Sequence, residues 1–249
     1  MMRTANPALN ANTFVTVARA TTDRMTLSGT VNKTGILLLI LTAVALFTWN
    51  TRTPGANGAW ILVGSIGGLI VALVTVFKKE WSAFTAPAYA ALQGLFIGGI
   101  SSFFEAVYPG IVMQAILLTF GTLGALLLAY STGKINPSEN FKLGIAAATG
   151  GIALVYLVSM ILGFFHVNVP LIHSSGIVGI LFSLFVVVIA ALNLVLDFDF
   201  IETGASMGAP KYMEWFAAFG LMVTLVWLYI EVLRLLAKLR SRRTMMFLL

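Results

Sequence analysis

The stretch Ile177–Leu196, IVGILFSLFVVVIAALNLVL, decides the fold: it carries no charge and is long enough to cross a bilayer. It runs directly into Asp197-Phe198-Asp199-Phe200-Ile201-Glu202. A second apolar segment, Trp215 to Leu236, follows at once and holds Glu231 inside it. A carboxylate within a membrane helix costs roughly 3 kcal/mol unless something pairs with it or hydrates it. Function is therefore sought first on this helix pair.

The same apolar pattern recurs outward from these two segments. Seven mostly apolar stretches, roughly 33–50, 59–77, 83–104, 111–131, 142–164, 175–197 and 212–238, read as transmembrane helices. With 59% hydrophobic and 10% charged residues in 249, the composition lies far from that of soluble domains. Each run is continuously apolar, which excludes the alternation of an outer-membrane barrel. The expected fold is an all-α integral membrane protein, a seven-transmembrane-helix bundle. Residues 1–33 form a polar N-terminal tail, 34–239 the membrane domain and 240–249 a basic C-terminal tail. The tail from Met1 is rich in Thr, Ala and Asn, and reads as flexible or as a short surface helix near Phe14–Met25. It does not read as a cleaved signal peptide.

Charge sets the topology. The net charge of +6 comes from Lys and Arg at helix ends and in tails, the normal pattern of a membrane protein and not a nucleic-acid signal. A cytoplasmic N-terminus puts Lys78, Lys79, Lys134, Lys142 and Lys211 on the cytoplasmic side, with only Arg52 opposite before the C-terminal tail. That tail carries Lys238, Arg240, Arg242 and Arg243, and seven crossings place it outside. A last segment that re-enters would return it to the cytoplasm. The expected location is the inner (plasma) membrane, multi-pass, N-terminus inside.

Small residues mark helix contacts. Gly64, Gly67 and Gly68, then Gly94, Gly98 and Gly99 with Ser101 and Ser102, make small-xxx-small patterns that let backbones approach. Gln93 beside them is a buried amide that needs a partner. Gly150-Gly151 either bends the fifth span or admits a neighbour. No internal repeat of the transporter kind is visible.

Residues four apart share a helix face. Asn193 and Asp197 lie together, while Asp199 points away, with Glu202, toward cytoplasmic solvent. On the last helix Gly220, Thr224, Trp227 and Glu231 form one stripe. The economical arrangement sets Asn193 and Asp197 against Thr224 and Glu231. Two carboxylates in such a site share a proton, raise one apparent pKa and offer oxygen ligands to Ca²⁺. The alternative is plain: Glu231 and Arg234, three apart, neutralise each other, and Asp197 stays hydrated at the headgroups.

The run Leu192-Asn193-Leu194-Val195-Leu196-Asp197-Phe198 with Ile201, and Trp227-Leu228-Tyr229-Ile230-Glu231-Val232 with Leu235, resembles the closing helices of the Bax inhibitor-1 family. Ala91-Leu92-Gln93-Gly94-Leu95 with Gly98 and Ser101 is similar to its third-helix signature. The likeness covers roughly 30–240, and the polar tail resembles the bacterial branch. The resemblance implies a seven-helix fold with the last helix central and a pH-sensitive Ca²⁺ leak governed by Asp197 and Glu231. Glu231 stands where the family usually has Asp, and Gln93 where members often have Glu. A basic residue found in the second helix of some members has no counterpart in Ala59–Phe77, so Lys78, Lys79 or Arg234 must substitute.

Three functions follow as expectations. The first is a Ca²⁺ leak channel gated by protonation of Asp197 and Glu231, with Asn193, Thr224, Arg234, Gln93 and Asp199 in support. The second is a non-conducting regulator that binds a membrane protease or other membrane proteins. The third, an intramembrane enzyme, is disfavoured, since His166 and His173 lie in a connection far from Ser101 and Ser102. No resident cofactor is expected, and the absence of Cys removes thiolate metal sites and disulfides. The lipid bilayer is the expected partner, and nucleic acid is not.

Overall fold

A computed structural model describes residues 24–49, 56–135, 137–165, 174 and 176–247. Among these residues seven long helices alternate in direction: α1 (Leu27–Trp49), α2 (Ala56–Phe77), α3 (Ser82–Val107), α4 (Ile111–Ser131), α5 (Glu139–Phe164), α6 (Ile177–Ser206) and α7 (Met213–Phe247). All seven are long and apolar enough to span a membrane. The expected bundle is therefore present.

Burial ranks the helices. In the most apolar 18 residues of α7, 78% are buried, against 11–39% in the other six. The last helix is the axis around which the others pack, and Phe216, Phe219, Met222 and Leu228 are fully enclosed along it. α7 continues without a break past the basic residues, and Arg240 Nη1 donates to the Pro109 carbonyl at 2.7 Å. It crosses and does not re-enter.

Turn chemistry fixes the two ends. At the far end, Gly110 adopts φ +80°, a conformation that favours glycine, and starts α4. The Glu105 carboxylate accepts from Gly110 N (2.6 Å) and Val112 N (3.1 Å), placing negative charge on the N-terminus of α4. At the near end, α6 closes on Gly208 (φ +68°), with Ala209 N donating to Gly204 O at 3.0 Å. Met25 N then donates to Ala209 O at 2.6 Å, tying the start of α1 to the α6–α7 turn. Ser82 Oγ donates to Tyr212 O at 3.0 Å and ties α3 to the same turn. Burial and the nearby Glu80 raise the Tyr212 phenol above its ordinary pKa.

Glycines permit the α1–α3 and α2–α3 contacts. A Cβ at Gly64 would stand 2.6 Å from the Leu92 carbonyl oxygen, and one at Gly94 2.6 Å from that of Leu41. One at Gly98 would overlap Thr48 and Ala45. Gly150 and Gly151 face open space, so among the described residues they admit no neighbour.

Three boundaries differ from the sequence expectation. α1 begins at Leu27, so Leu27–Lys33 are helix and not tail. α6 does not end at its acids but continues to Ser206, because Phe198, Phe200, Ile201 and Gly204 bury a further face against the bundle. α7 runs beyond 239 into the basic residues. His166, His173, Arg52 and the stretch before Arg24 lie outside the described residues.

Candidate functional site

The polar groups on α5, α6 and α7 form a series of levels along the bundle. Nearest the near end, Lys142 Nζ on α5 binds Asp199 Oδ2 on α6 at 2.7 Å and Glu139 Oε1 at 3.3 Å. The expectation that Asp199 faces solvent is thus corrected: helix α6 extends past it, and a half-turn offset points it at α5. Glu202 accepts from the Tyr130 hydroxyl at 2.5 Å. Asp197 lies inward, 1% exposed. One turn deeper, Asn193 Nδ2 donates to Thr149 Oγ1 (2.9 Å) and to the Ile189 carbonyl (2.8 Å).

Glu231 belongs to a different level. Both its oxygens accept from the Tyr156 hydroxyl at 3.0 Å, and Arg234 Nη1 stands 2.9 Å from Oε1. Arg234 also donates to the Tyr156 oxygen at 2.8 Å and lies over its ring, 5.2 Å from the centroid. Beyond it, buried Lys238 donates to Gly179 O (3.0 Å) and Ser183 Oγ (2.7 Å).

The structure does not set Asp197 beside Glu231. Tyr156 follows Thr149 by seven residues on α5, and Asp197 follows Asn193 by four in the opposite direction on antiparallel α6. At 1.5 Å of rise per residue the two acid levels are about 16 Å apart along the bundle. Glu231 instead finds its cation on its own helix, the neutralised arrangement that its spacing from Arg234 allows. Lys78 is exposed at the near end and Lys79 lies over the Phe216 ring, 5.7 Å from its centroid. Arg234 is therefore the cation that meets Glu231.

Between the two levels sits an apolar collar. Ile152, Val186 and Ile189 are buried together, with Trp227 and Phe182 packed against them. Ile152 on α5, Ile189 on α6 and Trp227 on α7 occupy the positions that separate Asn193–Thr149 from Glu231–Tyr156. Val186 is level with Tyr156, and Phe182 packs on the Tyr156 ring, 6.3 Å between centroids. Thr224 lies on the Asn193 side of Trp227, its hydroxyl donating to Gly220 O at 3.4 Å. Gln93 sits elsewhere, half-buried at the α2–α3 contact with its amide nitrogen against Gly68.

One buried carboxylate was not singled out in the sequence. Glu214, 0% exposed, opens α7 and accepts from Thr26 N (2.9 Å) and Thr26 Oγ1 (2.8 Å). Lys33 binds its other oxygen, and Lys211 Nζ lies 3.2 Å away. The signal available in the sequence was its place one residue before Trp215, just inside the last apolar run. Tyr156 and Thr149 were missed likewise, each a lone polar residue in the apolar run of α5, and Lys142 was read only for topology.

Among the described residues no group of three or more His, Asp or Glu could hold a metal ion. Compared with known proteins, residues 6–241 match the family model described as Bax inhibitor 1 like. No curated protein and no solved structure matches.

Proposed function

The chain belongs to the Bax inhibitor 1 like family, and from that premise we propose that it is a cation leak channel, for Ca²⁺, closed in the conformation described here. The observation that carries this reading is the interrupted polar series on α5, α6 and α7. Asp199, Asp197 and Asn193 lead inward from the near end, and Lys238, Arg234 and Glu231 from the far end. The collar of Ile152, Ile189 and Trp227, with Val186 at its far edge, separates them. An apolar constriction of this kind blocks ions by staying dry. Opening parts α5 from α6 and α7, wets the collar and joins the two halves. Asp197 supplies the charge that draws a cation from the near end. Glu231 does so from the far end once Arg234 swings toward solvent, since the Arg234 side chain is 37% exposed and able to leave.

We place the pH sensitivity implied by the family resemblance on the same two carboxylates, Asp197 and Glu231. The excess of Lys at the near end, Lys78, Lys134 and Lys211, favours the cytoplasm for that end, in an inner membrane. Purified protein in liposomes, loaded with a Ca²⁺ dye and followed from pH 5 to 8, tests the reading. Flux above that of empty liposomes, reduced in Asp197→Asn, is expected.

One observation favours a second reading. Glu231 is already satisfied by Tyr156 and Arg234, as a structural ion pair would be. A protein silent in liposomes would fit a non-conducting regulator that binds a membrane protease or other membrane helices.

A further inference from the structure

A cleft of about 410 Å³ opens on the side of the bundle away from the polar series, within the roughly 300–1,000 Å³ of ligand pockets. α1 forms one wall and α4 the other, with α3 and α7 as the floor. On α1 it runs from Trp49 to Leu38, about 16 Å of helix. That depth is about half of a 30 Å hydrocarbon core, the depth of one leaflet. Leu46 and Met113 on its rims are 58% and 61% exposed, so the cleft faces the acyl chains sideways.

The polar atoms of the cleft are few and ordered by depth. Glu105 stands at the far-end mouth, half-buried, and Arg240 reaches the adjoining Pro109 carbonyl. One turn deeper, Ser101 and Tyr229, 3% and 8% exposed, hydrogen-bond each other at 2.6 Å. Two hydroxyls hold two protons, and their mutual bond uses one. The other remains to donate to an acceptor in the cleft. A buried donor in an apolar wall calls for an acceptor there.

We infer that this cleft is a binding site for one phospholipid with a primary-amine headgroup, of the phosphatidylethanolamine type. The ammonium donates to the Glu105 carboxylate, and Arg240 at the same turn complements the phosphate. An ester carbonyl accepts from the Ser101–Tyr229 pair about 6 Å further in, one helical turn below. One acyl chain fills the apolar remainder between Leu41, Ile97, Ile116 and Leu225. The primary ammonium distinguishes this lipid from a choline lipid, whose methylated nitrogen has no proton to donate. It also distinguishes it from a glycerol-headed lipid, which lacks the cation.

Native mass spectrometry of the detergent-purified protein, titrated separately with phosphatidylethanolamine, phosphatidylcholine and phosphatidylglycerol of identical chains, tests this. One ethanolamine lipid should be retained, at least about tenfold more tightly than either other lipid. Glu105→Gln should erase that preference. Thr42→Phe, at an exposed position on the α1 wall, should fill the cleft and abolish retention while the thermal unfolding midpoint holds. The double variant Ser101→Ala/Tyr229→Phe should weaken all three lipids alike. Equal retention of the three lipids by the wild type, or undiminished retention in folded Thr42→Phe, would overturn the assignment.

Discussion

Arg234 Nη1 lies 2.9 Å from Glu231 Oε1, three residues back on the same helix, and both meet the Tyr156 hydroxyl of α5. The acid of the last membrane helix is thus neutralised within its own turn, about 16 Å along the bundle from Asp197. A charge in lipid that has no partner is expensive. Removing one member of this triad therefore exposes the other. Arg234→Gln should lower the unfolding midpoint in detergent, by about 1–3 kcal/mol of stability. Tyr156→Phe should cost less, since the ion pair survives. The double variant Glu231→Gln/Arg234→Gln should recover part of the loss, which a thermal melt of the four proteins measures.

Glu214 ties the N-terminal turn of α1 to the start of α7 through Thr26, Lys33 and Lys211. Its carboxylate is wholly enclosed. Glu214→Gln leaves Lys33 facing a neutral amide, so stability should fall by about 3 kcal/mol or more. Gly29→Ala should be harmful too, because its Cβ would overlap the same carboxylate. Melting midpoints close to wild type in both variants would show that the tie is dispensable.

Much of this architecture was legible in the sequence, and the reason is physical. A helix that spans lipid needs about twenty apolar residues, so the seven runs announced themselves, and the central α7 followed from the family resemblance. The Gly94–Gly98 contact was also readable, since small-xxx-small spacing has few other uses in lipid. Side-chain pairing across helices was not readable. Periodicity places Asn193 and Asp197 on one face and Thr224 and Glu231 on another, but it does not give the axial offset of two helices. Thr149, Tyr156 and Lys142 come from α5, and nothing in α6 or α7 points to them. Asp199 was misread because α6 was ended at its acids, whereas its apolar face continues to Gly204.

Glycines separate contact from lipid exposure. Gly64→Leu and Gly94→Leu should each reduce the yield of folded protein, since neighbouring backbone stands 2.6 Å from the added carbon. Gly121→Leu and Gly150→Leu should be silent, because nothing lies within 4 Å of either. Size-exclusion profiles and melting midpoints of the four variants check this.

Orientation is tested by labelling. Lys134→Cys at the near end should react with an impermeant thiol reagent only from the cytoplasm. Pro109→Cys, at the far end, should react only from outside. The protein has no cysteine of its own to interfere. The reverse pattern would invert the proposed topology.

The collar is the most direct test of the leak reading. Val186 is fully buried at the far edge of the collar, level with Tyr156, and Val186→Thr changes its chemistry with little change of shape. A hydroxyl at Val186, and a second through Ile189→Thr, gives water a foothold in the constriction. The measurement is Ca²⁺ influx at pH 7.5 into liposomes holding wild type, Val186→Thr or the double variant. The account predicts flux rising in that order, by about tenfold for the double variant, and falling again when Asp197→Asn is added. Folded variants that leak no more than empty liposomes would contradict it.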